Sequence, residues 1–217
     1  MSSPAHPAWA VYDLERLRAN LGELRRQIRP GRALIAALKA NAYGHGAPAI
    51  AKALDGEGLS AFMTGSFDQA RAMKEAGLHT PVVMFASALP TGMAALIEAG
   101  LTPTVVDLAG AKAAARAAPP GGAAAVYVKV DAGLGRLGVA LEDAEDFLEA
   151  LSRMPGLRIA GLYTHLPFAG ISGRGWAESR LAAFDGLLDR LAAGRRLPPV
   201  TQARASCCLA AGLSDRA

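Results

Sequence analysis

Cysteine is scarce in this chain. There are two, Cys207 and Cys208, adjacent and near the end of a 217-residue sequence. Neighbouring thiols make neither a disulfide framework nor a spaced metal site, and a reducing compartment is the simpler expectation. No His/Cys pair stands at ligand spacing, so no metal is expected. Long apolar runs are missing too; none approaches the length of a membrane span. The opening MSSPAHPAWAVYDL lacks a basic region followed by an apolar one, so no signal peptide is expected and the cytoplasm is the expected location. Basic runs interleaved with aromatics are absent. The net charge is +4, but the arginines are dispersed (Arg16 with Arg18, Arg25 with Arg26, Arg195 with Arg196). They read as solvated helix faces, not as a nucleic-acid groove.

What is present is a regular alternation. Half the residues are hydrophobic (52%), enough for one sizeable core. Seven β-rich runs read as strands: 33–39, 61–66, 81–87, 102–107, 124–131, 158–165 and 199–206. Between them lie segments such as FDQARAMKEAGL and LEDAEDFLEALSRM, with apolar residues at helical spacing. Gly77, Gly100 and Gly156 fall just past the expected helix ends. Strands alternating with helices imply βαβ units and a parallel sheet. Seven such units fit a (β/α)8 TIM-type barrel lacking its last strand. A doubly wound open sheet is the alternative, and no G-x-G-x-x-G turn after the first strand favours a dinucleotide version of it. Ahead of the first unit, residues 8–12 read as a short strand. A helix follows, with Leu14, Leu17, Leu21 and Leu24 on one stripe and Asp13 as its cap.

In a parallel barrel, reactive groups gather at the C-terminal ends of the strands. Lys39 ends the first run, Lys129 and Asp131 the fifth, His165 the sixth and Ser206 the seventh; Arg136 lies in the loop after the fifth. Strand alternation places Ala33, Ile35, Ala37 and Lys39 on one face, and likewise Tyr127, Lys129 and Asp131, and Ile159, Gly161, Tyr163 and His165. A mouth collecting these groups suits an anionic, carbonyl-bearing ligand. A lone lysine there can simply snorkel. With cationic neighbours and partial burial its pKa falls, and a neutral amine can attack an aldehyde. Pyridoxal 5′-phosphate (PLP) is the cofactor that uses such a lysine. In the NAYGHG that follows, glycines permit tight turning, Tyr43 offers a hydroxyl, and His45 reads as a turn residue.

Three motifs then fall in order. KANAYGHG (39–46) resembles the PLP-lysine motif of the alanine racemase family, KVDAGLGRLGV (129–139) its second signature, and GLYTHLPFA (161–169) its third. The resemblance runs from about residue 8 to the end, with residues 1–217 as one N-terminal PLP-binding barrel of fold type III. It implies a homodimeric enzyme that interconverts L- and D-alanine through a Schiff base on Lys39, which also acts as acid and base at the substrate Cα. It implies Tyr43 and Ser206 at the cofactor phosphate, Arg136 near the phenolic oxygen and the substrate carboxylate, and His165 beside the cofactor. Lys129 matches a position where some members carry a carbamylated lysine. ASCC is a loose match around Ser206.

The chain also departs from that family. The second base is a tyrosine of the partner's β-rich domain, and none of Tyr12, Tyr43, Tyr127 and Tyr163 occupies that place. The eighth strand and the C-terminal β domain, with which the strand expected at 8–12 would normally pair, are not in this sequence, so the expectation is a truncated racemase with two open sheet edges. The competing readings are a barrel that holds PLP without turnover, and a non-functional fragment. Metal-using D-amino-acid aldolases and dehydratases share the barrel, but the ligand spacing they need is not here.

Overall fold

The structure, a computed structural model, describes residues 10–28, 31–32, 34–87, 89–167, 173–210 and 212. In chain order the elements are α1 (Leu14–Gln27), β1 (Ile35–Ala37), α2 (Lys39–Tyr43), α3 (Ala47–Leu54), β2 (Ala61–Thr64), α4 (Phe67–Glu75), β3 (Val82–Ser87), α5 (Met93–Glu98) and β4 (Thr102–Val105). Then come α6 (Leu108–Arg116), β5 (Ala124–Asp131), β6 (Val139–Ala140), α7 (Ala144–Ser152), β7 (Leu157–Tyr163), α8 (Arg174–Ala193), β8 (Val200–Gln202) and α9 (Ser206–Ala210).

The strands pair in the order β1-β2-β3-β4-β5-β7-β8, every pair parallel, with β6 added beside β5. Successive strands are spatial neighbours, as in an unrolled (β/α)8 barrel. The seven runs expected from the sequence are all strands of this sheet, most of them shorter than expected; β6 is an addition.

Side-chain alternation divides the sheet into two faces. Phe62, Val82 and Met84 point outward into a core shared with α1, α3, α4 and α5. Val126, Val128, Val130 and Leu162 do the same towards α6, α7 and α8. The inner face carries a smaller cluster of Ala61, Met63, Val83, Tyr127 and Tyr163. The helices follow their local signals. Asp13 caps α1 by accepting from the amides of Glu15 and Arg16, Ser66 caps α4, and Asp107 caps α6. Leu21 is the buried member of the α1 stripe, whereas Leu14 and Leu24 remain exposed. Gly77, Gly100 and Gly156 have φ of +75°, +69° and +76°, as chain leaving a helix often requires.

Several expectations are corrected. Residues 10–12 form no strand; residues 8 and 9 lie outside the described residues. A strand needs a neighbour to bond, and the Tyr12 ring instead meets His45 edge-on, 4.6 Å between centroids. β1 stops at Ala37, so Lys39 is not in the strand; Ala33 is outside the described residues. β7 stops at Tyr163, two residues before His165. Ser206 begins α9 instead of ending a strand. Ile159 does not share a face with Tyr163, because it packs against the outer core. The β5–β7 register steps from Val126↔Ile159 to Tyr127↔Gly161, one residue more on β7 than on β5. That irregularity reverses the alternation.

Candidate active site

The first strand delivers Lys39 to its C-terminal end and the backbone then reverses hand. Ala40, Asn41, Ala42 and Tyr43 have φ of 49°, 57°, 54° and 56°. One left-handed turn of non-glycine residues is disfavoured by about 1–2 kcal/mol per residue, so other bonds must hold it. The Leu38 amide donates to the Met63 carbonyl at 2.8 Å and the Ala42 amide to Leu38 at 2.9 Å. The amides of Gly44 and Gly46 return to Ala40 and Asn41, each at 2.9 Å. The Asn41 side chain accepts from the Ala47 amide at 2.8 Å, satisfying the start of α3. Pro48 beside it has no N–H to satisfy. Lys39 is exposed, with Nζ 5.7 Å from the Tyr43 ring centroid. Tyr43 is itself exposed. His45 is an exposed turn residue.

The fifth strand delivers Lys129, which is 4% exposed. It is a buried lysine near the end of its strand. Its ammonium donates to the Leu137 carbonyl and lies 6.0 Å from the Tyr163 ring centroid. Burial lowers its pKa; Asp131 opposes that and Arg136 adds to it. Asp131 organises the turn that follows by accepting from the amides of Gly133 (2.9 Å), Leu134 (2.7 Å) and Arg136 (2.8 Å). Burial works against this carboxylate, and the amides outweigh it, so its pKa lies below the usual range. Arg136 thus leaves a tied turn, with its side chain exposed.

The sixth strand of the barrel, β7, ends beside these groups. His165 is half-buried, and burial first, then the charges of Arg136, Lys129 and Lys39, depress its pKa. Lys39, Lys129, Arg136 and His165 are therefore brought to one mouth. Ser206 is exposed at the first residue of α9, after β8, and no contact joins it to the other four among the described residues.

Sequence reasoning missed the polar floor beneath this mouth. The Tyr163 hydroxyl donates to the Phe85 carbonyl at 2.7 Å and lies 3.2 Å from Thr104 Oγ1. Burial drives its pKa far up. Alternation already places Tyr163 on the inner face and could have flagged Thr104 as well; the partner carbonyl could not be read. The Asn41 bond had a signal: an Asn shortly before a Gly-x-Gly-Ala-Pro helix start.

The fold and the site define a parallel barrel protein with a lysine-bearing, cationic mouth at the C-terminal ends of its strands. The alanine racemase, N-terminal domain family matches residues 12–215, and the chain belongs to that family. A curated alanine racemase of Desulforamulus reducens is 34% identical over 189 residues, covering 85% of this chain and 50% of that protein. One of Desulfosudis oleivorans is 32% identical, covering 93% and 54%. The chain spans about half the length of the curated relatives it matches. Among solved structures, an alanine racemase of Clostridium difficile 630 in complex with cycloserine superposes with a TM-score of 0.87 at 23% identity, covering 95% of this chain and 57% of that one. The enzyme of E. faecalis superposes at 0.81 and 26% identity, covering 91% and 53%. Among the described residues, no helix is long and apolar enough to cross a membrane.

Proposed function

We propose that residues 1–217 are the cofactor-binding barrel of a PLP-dependent alanine racemase, a cytoplasmic homodimer that interconverts L- and D-alanine. What supports this reading is the left-handed turn that sets Lys39 just past β1, in a parallel sheet where Lys129 stands near the same end of β5 and the Asp131-tied turn carries Arg136. PLP brings an aldehyde and a phosphate dianion, and a mouth with a primary amine and further cations fits both. When bound, it supplies an electron sink that acidifies the amino-acid Cα–H.

The chain's own residues then divide the work. Lys39 would hold the cofactor by its aldehyde, its amine condensing there with loss of water, and once displaced that amine would accept the Cα proton and return it on one face. Tyr43 and Ser206 would hold the phosphate through their hydroxyls. Arg136 binds the substrate carboxylate and the phenolic oxygen. His165, its pKa lowered by burial and then by Arg136, Lys129 and Lys39, lines the mouth. Inversion needs a second proton carrier on the opposite face. The resemblance to the alanine racemase family implies a tyrosine of the partner's β-rich domain for that role; within this chain Tyr163 donates to the Phe85 carbonyl and Tyr127 is buried.

Lys129 is proposed as a carbamylated lysine. Its lowered pKa enlarges the neutral fraction. The amine nitrogen adds to the carbon of CO2 and loses a proton, and Arg136 then faces an anion in place of a second cation. Equilibration with 13C-bicarbonate should give a carbamate signal that Lys129→Ala lacks. No signal from the unaltered chain would leave Lys129 a buried ammonium.

The visible spectrum with PLP tests the main reading. A band reducible by borohydride, absent from Lys39→Ala, is expected, with L-alanine assayed for racemisation alongside. No band in either protein would sink the proposal.

A further inference from the structure

We propose that Arg180, on α8, is a positioning residue for Arg136, clamping the turn between β5 and β6 from outside. The proposal rests on the reading of Arg136 as a group of the mouth. The turn is tied from within by Asp131, whose carboxylate gathers three of its amides. Its far end presses on β5, since a Cβ on Gly138 would stand 2.6 Å from the Asp131 nitrogen and 2.8 Å from the Val130 carbonyl carbon. Between these anchors stands Gly133, with φ of +123°.

Gly133 is where α8 touches the turn. A Cβ there would lie 2.7 Å from Arg180 Cδ, 3.4 Å from Nη1 and 3.5 Å from Nε. The arginine stem therefore crosses the bare Cα directly, at a spacing that only glycine allows. Arg180 Nε is buried and has no hydrogen-bond partner among the described residues. A buried donor without an acceptor is unfavourable, so packing, not hydrogen bonding, holds this nitrogen there. Gly133 lies three residues before Arg136, and the same carboxylate binds both amides. Freeing the Gly133 side of the turn lets the Arg136 guanidinium wander over the mouth.

Two measurements on the 217-residue chain test this without any cofactor, so they stand or fall apart from the PLP reading. Amide exchange at Gly133, Leu134 and Arg136 should rise at least tenfold in Arg180→Ala, while amides 126–130 keep their protection. The His165 titration midpoint, followed by NMR, should move up in Arg180→Ala towards its value in Arg136→Ala. Arg180→Lys and Arg180→Met keep a stem over Gly133, and Met removes the charge. Both should restore slow exchange and the original midpoint. Unchanged exchange in Arg180→Ala would overturn the clamp. So would a midpoint that moves as far in Arg180→Met as in Arg180→Ala, which would mark a charge effect.

Discussion

Gly161 and Tyr127 occupy one space from two strands: a Cβ on Gly161 would lie 2.3 Å from Tyr127 Cε1 and 2.6 Å from Cδ1. The ring of β5 lies flat over the bare Cα of β7, which brings it to 6.4 Å from the Tyr163 ring. Both rings belong to the inner-face cluster with Ala61, Met63 and Val83.

Gly161→Ala should therefore be destabilising, because the methyl group meets a buried ring with little room to move. Overpacking of this kind costs about 1–3 kcal/mol, and in a chain of this length Tm should fall by roughly 2–12 °C. Thermal unfolding by circular dichroism measures it. Tyr127→Leu in the same background should recover part of the loss; equal Tm values for Gly161→Ala and the unaltered chain would refute the contact.

The same two strands show what was legible in the sequence. AAVYVKVD alternates cleanly, and β5 is that run without a residue added or lost. RIAGLYTH looks equally regular, yet the register step at Val126/Tyr127 places Ile159 on the outer face. A bulge depends on the neighbouring strand, so one run's pattern does not show it. The first run failed differently: its hydrophobicity continues to Leu38, but the chain leaves the sheet before Lys39 because Ala40–Tyr43 adopt left-handed geometry. Alanine and tyrosine carry no local signal for that conformation; the long-range bond from Leu38 to Met63 helps to hold it. The groups of the mouth were readable because strand ends in a parallel barrel converge. The contacts fixing them, Leu137 on Lys129 and Gly133 under Arg180, come from backbone and were not.

His165 should titrate below the ordinary histidine value of about 6.5. Burial is the first cause, and the charges of Arg136, Lys129 and Lys39 follow in that order. Arg136→Ala should raise the midpoint, and Lys39→Ala should raise it less. Histidine ring NMR across pH 4–8 reads all three proteins. A midpoint unaffected by Arg136→Ala would separate that arginine from the mouth.

Acid should weaken the N-terminal side of the sheet through Asp55. This carboxylate, 8% exposed, joins the end of α3 to the segment leading into β3. It accepts from the His79 amide at 3.0 Å and the Thr80 amide at 2.9 Å. Burial opposes its ionisation, but the Thr80 and His79 bonds outweigh burial and hold the pKa far below the usual range. A depressed folded pKa means that the unfolded chain binds the proton first. The stabilisation is complete above the ordinary aspartate value of about 3.9 and declines as pH falls below it towards the folded pKa. Asp55→Asn keeps the shape and one acceptor but removes the charge. Its Tm should lie below that of the unaltered chain at pH 7, and the gap should narrow between pH 4 and pH 2.5. A gap that stays constant over that range would show that the charge of Asp55 contributes nothing to the joint.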